Sequence, residues 1–289
     1  MRKTKRLYKD SLFRDIFSNE ERLSEIYEAL LGRKADPQDI TLATMDETLF
    51  DGIKNDVGFI VRNEYVILIE HQSTINENMP LRLFMYLAEI YRRHVDEDSV
   101  YRKKRIRLPA PRFYVFYNGM EEVPNTWRLR LSDAFDGRQG SMELVVDVIN
   151  INIDDKKERL LLGKSHALKS YSVFVAKVRE CIKNGSTLEA AVGEAVQYCV
   201  SHDYLREYFR QKHKKEVFDM LNFAWNQERA LKVCAEEARE DGLAQGLENG
   251  LAASIANVMK NMGVSMEKAM DVLQIPAAER AKYAQLVKG

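Results

Sequence analysis

The order of apolar and polar positions divides the chain into a mixed part followed by a helical one. Residues 10–31 place Phe13, Ile16, Phe17, Leu23, Ile26, Tyr27 and Leu30 near one face of a helix, and Gly32 fits the stop after it. Residues 47–50 have the character of a short strand. Residues 56–61 (DVGFIV) and 65–71 (YVILIEH) are short runs of β-branched and apolar residues separated by Arg62, Asn63 and Glu64, the pattern of a hairpin. Residues 79–95 return to helical period, with Leu81, Phe84, Met85, Ala88, Tyr91 and Val95 as one stripe and Pro80 in the first turn. Residues 112–118 (RFYVFYN) and 144–153 (LVVDVININI) read as further strands, the first ending at the turn signal Asn118-Gly119. Helices follow over 157–183, 186–201 and 214–245, then two or three short ones over 251–289, with Gly263 a stop, Ser265 an N-cap and Pro276 past a second stop. Strands interleaved with helices predict an α/β domain whose central mixed sheet is flanked by helices, followed by a mostly α-helical C-terminal region.

Proline and aromatic usage sharpen that division. Residues 125–275 hold no proline, which permits long helices, and beyond Trp225 the only aromatic residue is Tyr283. The expected organisation is an α/β domain over 1–160, a helical extension over 161–240 and a tail over 241–289. In that tail Gly242, Gly246 and Gly250 recur every four residues, each followed by leucine. Such a row on a helix suits close approach of a second copy, a hinge, or an uncommitted solvent helix weakened by about 1 kcal/mol per glycine; a homo-oligomer through these helices is the expectation.

Composition removes several function classes. The 289 residues carry 44 Lys+Arg and 44 Asp+Glu, so the chain is neither a globally basic nucleic-acid coat nor an acidic disordered tail. Cys181, Cys199 and Cys234 form no CxxC pair, and the basic opening MRKTKRLYKD has no apolar stretch behind it. With no 18-residue apolar run, these features predict a cytoplasmic protein without a signal peptide or membrane span. No HxH or HExxH spacing, P-loop or GxSxG elbow is present.

The hairpin holds the chemistry. With a three-residue loop, Val61 faces Tyr65, and counting outward brings Asp56 opposite Glu70, Cβ atoms about 5 Å apart. Alternation puts Gln72 on the same face as Glu70 and the His71 side chain on the other. Two carboxylates this close repel unless something neutralises them. A hard divalent cation such as Mg²⁺ is one solution; exposure at the end of a sheet, with each acid solvated or paired to a lysine, is the other.

These residues also carry a family resemblance. The segment from Asn55 to Tyr91, with its E-H-Q-S run at Glu70–Ser73 and M-P-L-R-L at Met79–Leu83, resembles the Rpn group of recombination-promoting nucleases, transposase-like members of the PD-(D/E)XK nuclease superfamily. The opening YKDSLFRDIFSN at Tyr8–Asn19 and the Y-V-F-Y-N-G strand at Tyr114–Gly119 are similar to that group as well. The resemblance implies a restriction-endonuclease-like core and metal-assisted phosphodiester hydrolysis of double-stranded DNA. It places Asp56 and Glu70 as Mg²⁺ ligands, with Mn²⁺ a substitute and the His71 backbone carbonyl a further ligand. Gln72 stands where the superfamily usually has lysine; it can donate a hydrogen bond but supplies no charge. Some members carry another acid on the first helix, where this chain offers Glu21, Glu25 and Glu28.

Basic residues suggest where DNA would lie. Residues 99–120 contain Arg102, Lys103, Lys104, Arg105, Arg107 and Arg112 with no acid, interleaved with Tyr101, Phe113 and Tyr114, and residues 1–9 hold a second basic run. Both suit phosphate contacts; each also reads as a solvated loop or terminus. Arg82, placed with Arg93, Tyr86 and Glu89 on the polar face of helix 79–95, either reaches DNA phosphate or holds Glu89. The reading from sequence is a Mg²⁺-dependent DNA endonuclease with a role in recombination or transposition. Its rivals are a nuclease-fold protein that binds DNA without cutting it and an oligomeric interaction protein acting through its tail.

Overall fold

The computed structural model describes residues 12–43, 56–154, 159–212, 215–220, 246, 249–276 and 279–287. The expected strand 47–50, the basic run 1–9 and Gly242 lie outside them. The chain forms two compact units, residues 1–224 and 225–289.

The first unit is built on a six-stranded mixed sheet: β1 (Ile40–Leu42), β2 (Val57–Val61), β3 (Tyr65–Gln72), β4 (Ala110–Tyr117), β5 (Thr126–Arg130) and β6 (Val145–Asn150), in the order β1-β2-β3-β4-β6-β5. The β3–β4 and β4–β6 pairs are parallel and the others antiparallel. The hairpin register is the one counted from the sequence, with Val61 against Tyr65 and Val57 against Ile69. Arg62 and Asn63 turn the chain at φ 49° and 57°, left-handed backbone that asparagine tolerates well. β5 escapes a search for apolar runs because its TWRLR alternates: Trp127 and Leu129 pack inward while Thr126, Arg128 and Arg130 are exposed.

Helices cover both faces. On one, α3 (Met79–His94) lays Met79, Leu83, Tyr86, Leu87 and Ile90 on Val66, Leu68, Val115, Tyr117, Val146 and Val148. The expected stripe through Leu81, Ala88 and Tyr91 is therefore rotated. Leu81 and Ala88 are exposed, and Tyr86, expected on the polar face, is fully buried. The helix is apolar over most of its circumference, and the side carrying Met79 and Tyr86 is the one that packs on the sheet.

The opposite face meets α1 (Leu12–Ile16) and α5 (His166–Lys183), joined by α2 (Glu20–Leu31), α4 (Leu160–Lys164), α6 (Leu188–Ser201) and α7 (Arg206–Gln211). Phe13 packs edge-on against Phe116 and Tyr171. The single helix expected over 10–31 breaks at Asn19, whose side chain accepts the Arg22 N–H and starts a new helix; Gly32 ends it at φ 67°. The helix expected over 157–183 likewise breaks at the buried Ser165, which caps α5 by accepting the Leu168 N–H. α7 was not visible as a separate element from periodicity, and of the helix expected over 214–245 only residues 215–220 are described, as helix.

The second unit is a small helical assembly. Residues 249–262, Met266–Val272 and Arg280–Leu286 enclose Ile255, Ala269, Met270, Ile275 and Tyr283. Gly263 at φ 62° and the Ser265 cap mark its first turn as the sequence indicates. Among the described residues no helix is long and apolar enough to cross a membrane.

Asn118 and Gly119 close the sheet rather than form a free turn. The Arg179 guanidinium donates to the Asn118 side-chain and backbone oxygens and, at 3.0 Å, to Asn152 Oδ1, while Asn152 Nδ2 donates to the Gly119 carbonyl. A methyl at position 119 would overlap the Ser73 carbonyl and the Tyr117 hydroxyl. Gly119→Ala is expected to lower the unfolding free energy by about 1–3 kcal/mol in a denaturant titration; an unchanged midpoint would show that this corner yields freely.

Candidate active site

Asp56 and Glu70 meet at the C-terminal end of β3, the edge at which open α/β sheets bind ligands. Asp56 lies just before β2 and continues its register. Its backbone N–H donates to Glu70 Oε1 at 3.3 Å, and its Oδ2 accepts the His71 backbone N–H at 2.7 Å. The opposition counted from the sequence thus becomes direct contact, but in a buried setting rather than a solvated one, since Glu70 is only 2% exposed.

Burial governs the electrostatics. It pushes the Asp56 carboxyl up to about 6, against the His71 N–H and the charges of Arg82 and Arg14, which favour ionisation. Burial, and next the neighbouring Asp56, push Glu70 well above the ordinary carboxylate range, with Arg82 opposing. Arg82 reaches in from α3: Nη2 lies 3.0 Å from Glu70 Oε2 and 3.3 Å from the Tyr86 hydroxyl. Arg14, 7% exposed on α1, adds positive charge from the other face. The expected hold of Arg82 on Glu89 is not what forms, because Arg82 pairs with Glu70. Glu89 instead pairs with Arg92 and Arg93 at 2.7 Å each. A buried carboxylate needs a cation more than an exposed one does, and that need turns Arg82 inward.

Gln72 and His71 take the faces that alternation predicts. The Gln72 amide donates to Met79 Sδ at 2.8 Å, beside α3. The His71 ring stacks on Phe13 at 4.9 Å between centroids and lies 3.0 Å from the Tyr171 hydroxyl. Burial first, then the Arg179 charge, hold its pKa down at about 3, so the ring is a neutral packing group. Of the three helix acids, Glu25 accepts the Ala167 N–H in the first turn of α5, a capping role, while Glu21 and Glu28 are exposed.

The basic run does not join the carboxylates. Arg102, Lys103, Lys104 and Arg105 are exposed and precede β4, whose first residue pairs with Tyr65 whereas Val115 pairs with Glu70. Five strand residues, about 17 Å, separate the two levels. Tyr101, 90% exposed, stands beside the run.

Sequence reasoning missed the asparagine–arginine lattice behind the site. Arg179 joins β4 to the segment after β6, and Arg159 donates to the Asn152 carbonyl and Asn125 Oδ1, each at 2.6 Å. Four asparagines at strand ends, Asn118, Asn125, Asn150 and Asn152, were the available signal.

The Asp56 environment sets the sign of a pH effect. A carboxyl raised from 3.8 to about 6 is unstrained below its unfolded value, and its contribution is lost as pH rises through about 6. In chelator, Asp56→Asn is expected to stabilise the protein above pH 6 by about 1–2 kcal/mol and to change little at pH 4. Thermal melts at the two pH values check this; an equal offset at both would refute it.

No curated protein and no solved structure gives a significant match to the chain. A family model does, over a segment that contains Asp56, Glu70, Gln72 and Arg82 and stops before α5. Residues 53–161 match the family described as "Putative transposase, YhgA-like", which belongs to the PD-(D/E)XK nuclease-like group.

Proposed function

We propose that this protein is a Mg²⁺-dependent DNA endonuclease acting in recombination or transposition. The observation that carries the reading is the Asp56–Glu70 contact at the ligand-binding edge of the sheet. The family match over the same residues supports a nuclease- or transposition-related role.

The donor set fits a hard cation. Two carboxylates, Glu70 buried and Asp56 half-buried, both pushed toward the protonated form, gain from any positive charge that restores ionisation. Two carboxylates with, among the described residues, no thiolate or imidazole nitrogen beside them are the oxygen set that Mg²⁺ takes together with water. Asp56 and Glu70 would hold the ion, with the His71 carbonyl beside them and Mn²⁺ as a substitute. Bound there, a divalent cation supplies Lewis acidity toward a phosphate oxygen and lowers the pKa of a water.

The chain's own residues do the rest. The His71 N–H orients Asp56, and the Asp56 N–H orients Glu70, so both carboxylates are fixed before substrate arrives. Gln72, held at Met79, is placed to donate a neutral hydrogen bond. Arg102, Lys103, Lys104 and Arg105 would meet the DNA backbone away from the scissile bond, giving sequence-independent affinity.

Wild-type protein is expected to nick or cut supercoiled plasmid with Mg²⁺, and Asp56→Ala or Glu70→Ala to lose that activity at least 100-fold. Salt-dependent binding with no cleavage in Mg²⁺ or Mn²⁺ would establish the non-cutting alternative instead. Replacing Arg102, Lys103, Lys104 and Arg105 by Gln should reduce the slope of log affinity against log salt by about three to four. An unchanged slope in fluorescence anisotropy would place the DNA elsewhere.

A further inference from the structure

The superfamily lysine has no counterpart on β3, because position 72 is glutamine. Phosphodiester hydrolysis still gathers negative charge. A water oxygen bonds to phosphorus and gives up one proton to solvent, the bond from phosphorus to one deoxyribose oxygen breaks, and that leaving oxygen takes up a proton from solvent. Fixed positive charge near the phosphate is the usual way to stabilise the crowded intermediate stage.

The site contains such a charge on another element. Arg82 on α3 sends Nη2 to Glu70 Oε2 and the Tyr86 hydroxyl, at 3.0 Å and 3.3 Å. Those two contacts use only part of its donor capacity. Its Nη1 has a thioether, Met79 Sδ at 3.6 Å, as its hydrogen-bond partner, and its buried Nε has none among the described residues. A guanidinium carries five N–H donors in a planar fork that matches phosphate oxygens. The side chain is 26% exposed, so it is anchored at Glu70 without being sealed in.

Its position relative to Gln72 completes the case. Gln72 Nε2 lies 2.8 Å from the same Met79 sulfur that Arg82 Nη1 approaches. The glutamine amide and the guanidinium therefore converge on one point beside Glu70, one from the strand and one from the helix. A cation projecting from position 72 and the observed cation from position 82 would serve the same volume.

We propose that Arg82 supplies the fixed positive charge of this site, taking over from helix α3 the contact to substrate phosphate that Gln72 cannot make with a charge. The inference rests on the endonuclease reading, and it predicts an exchange: the charge is portable between positions 82 and 72.

The test measures plasmid nicking in Mg²⁺ and, separately, binding of a duplex oligonucleotide in Ca²⁺ by fluorescence anisotropy. Arg82→Met is expected to lower nicking about 100-fold and duplex affinity about tenfold, with Ca²⁺ affinity by calorimetry equal to wild type or tighter, since a neighbouring positive charge is gone. Adding Gln72→Lys to Arg82→Met should restore at least tenfold of the nicking and most of the duplex affinity. Arg82→Lys should stay within about tenfold of wild type in both. If Arg82→Met does not fold by circular dichroism, Arg82→Gln keeps a hydrogen bond to Glu70 without charge and is expected to show the same losses. Wild-type behaviour of the charge-removing variant overturns the proposal. So does loss of Ca²⁺ binding together with nicking and no rescue by Gln72→Lys, the result of a purely structural role. Wild-type protein that fails to nick in Mg²⁺ and Mn²⁺ overturns the endonuclease reading alone, because the duplex-binding arm still reports on Arg82.

Discussion

A carboxylate buried in a sheet must be neutralised or protonated, and Glu70 imposes that demand on its surroundings. The response comes from three elements. Arg82 reaches down from α3, Asp56 offers its backbone N–H from the start of β2, and Arg14 adds charge from α1. Helix α3 owes its rotation in part to this pairing. The side of the helix that carries Arg82 also carries Tyr86, which is buried to place its hydroxyl beside the guanidinium.

The order of chain segments around this pair explains the lattice of asparagines and arginines. Strands β3, β4 and β6 run parallel, so their C-terminal ends emerge together, each with backbone groups that no neighbouring strand satisfies. Asn118 donates its backbone N–H to the Gln72 carbonyl, and Ile151 donates to the Tyr117 carbonyl. Arg179 and Arg159 satisfy what remains. The edge that holds Asp56 and Glu70 is thereby braced from one side.

Much of this was legible in the residues. The hairpin register followed from a three-residue loop and strand alternation, and with it the Asp56–Glu70 contact and the opposite placement of His71. Local punctuation was reliable at Gly32, Gly263 and Ser265, where a left-handed residue or a hydroxyl cap acts within one turn. Breaks at Asn19 and Ser165 were hidden because the apolar period continues across them; only the cap chemistry interrupts it. The inward turn of Arg82 was hidden for a different reason. Helical period alone assigns arginine to solvent, and only a buried charge on another element, Glu70, twelve residues before it in sequence, reverses that assignment. The alternation of β5 was present in TWRLR but carried by too few apolar residues to stand out.

The Phe13–His71–Tyr171 stack has a consequence for where the protein can be divided. The family-matched segment ends at residue 161, yet its strand β3 rests one face on a phenylalanine that precedes it and a tyrosine that follows it. Arg179, also beyond the segment, holds the end of β4. The matched stretch is thus not a folding unit by itself: it holds the Asp56–Glu70 pair, and flanking helices about 150 residues apart in the chain supply one wall of its core.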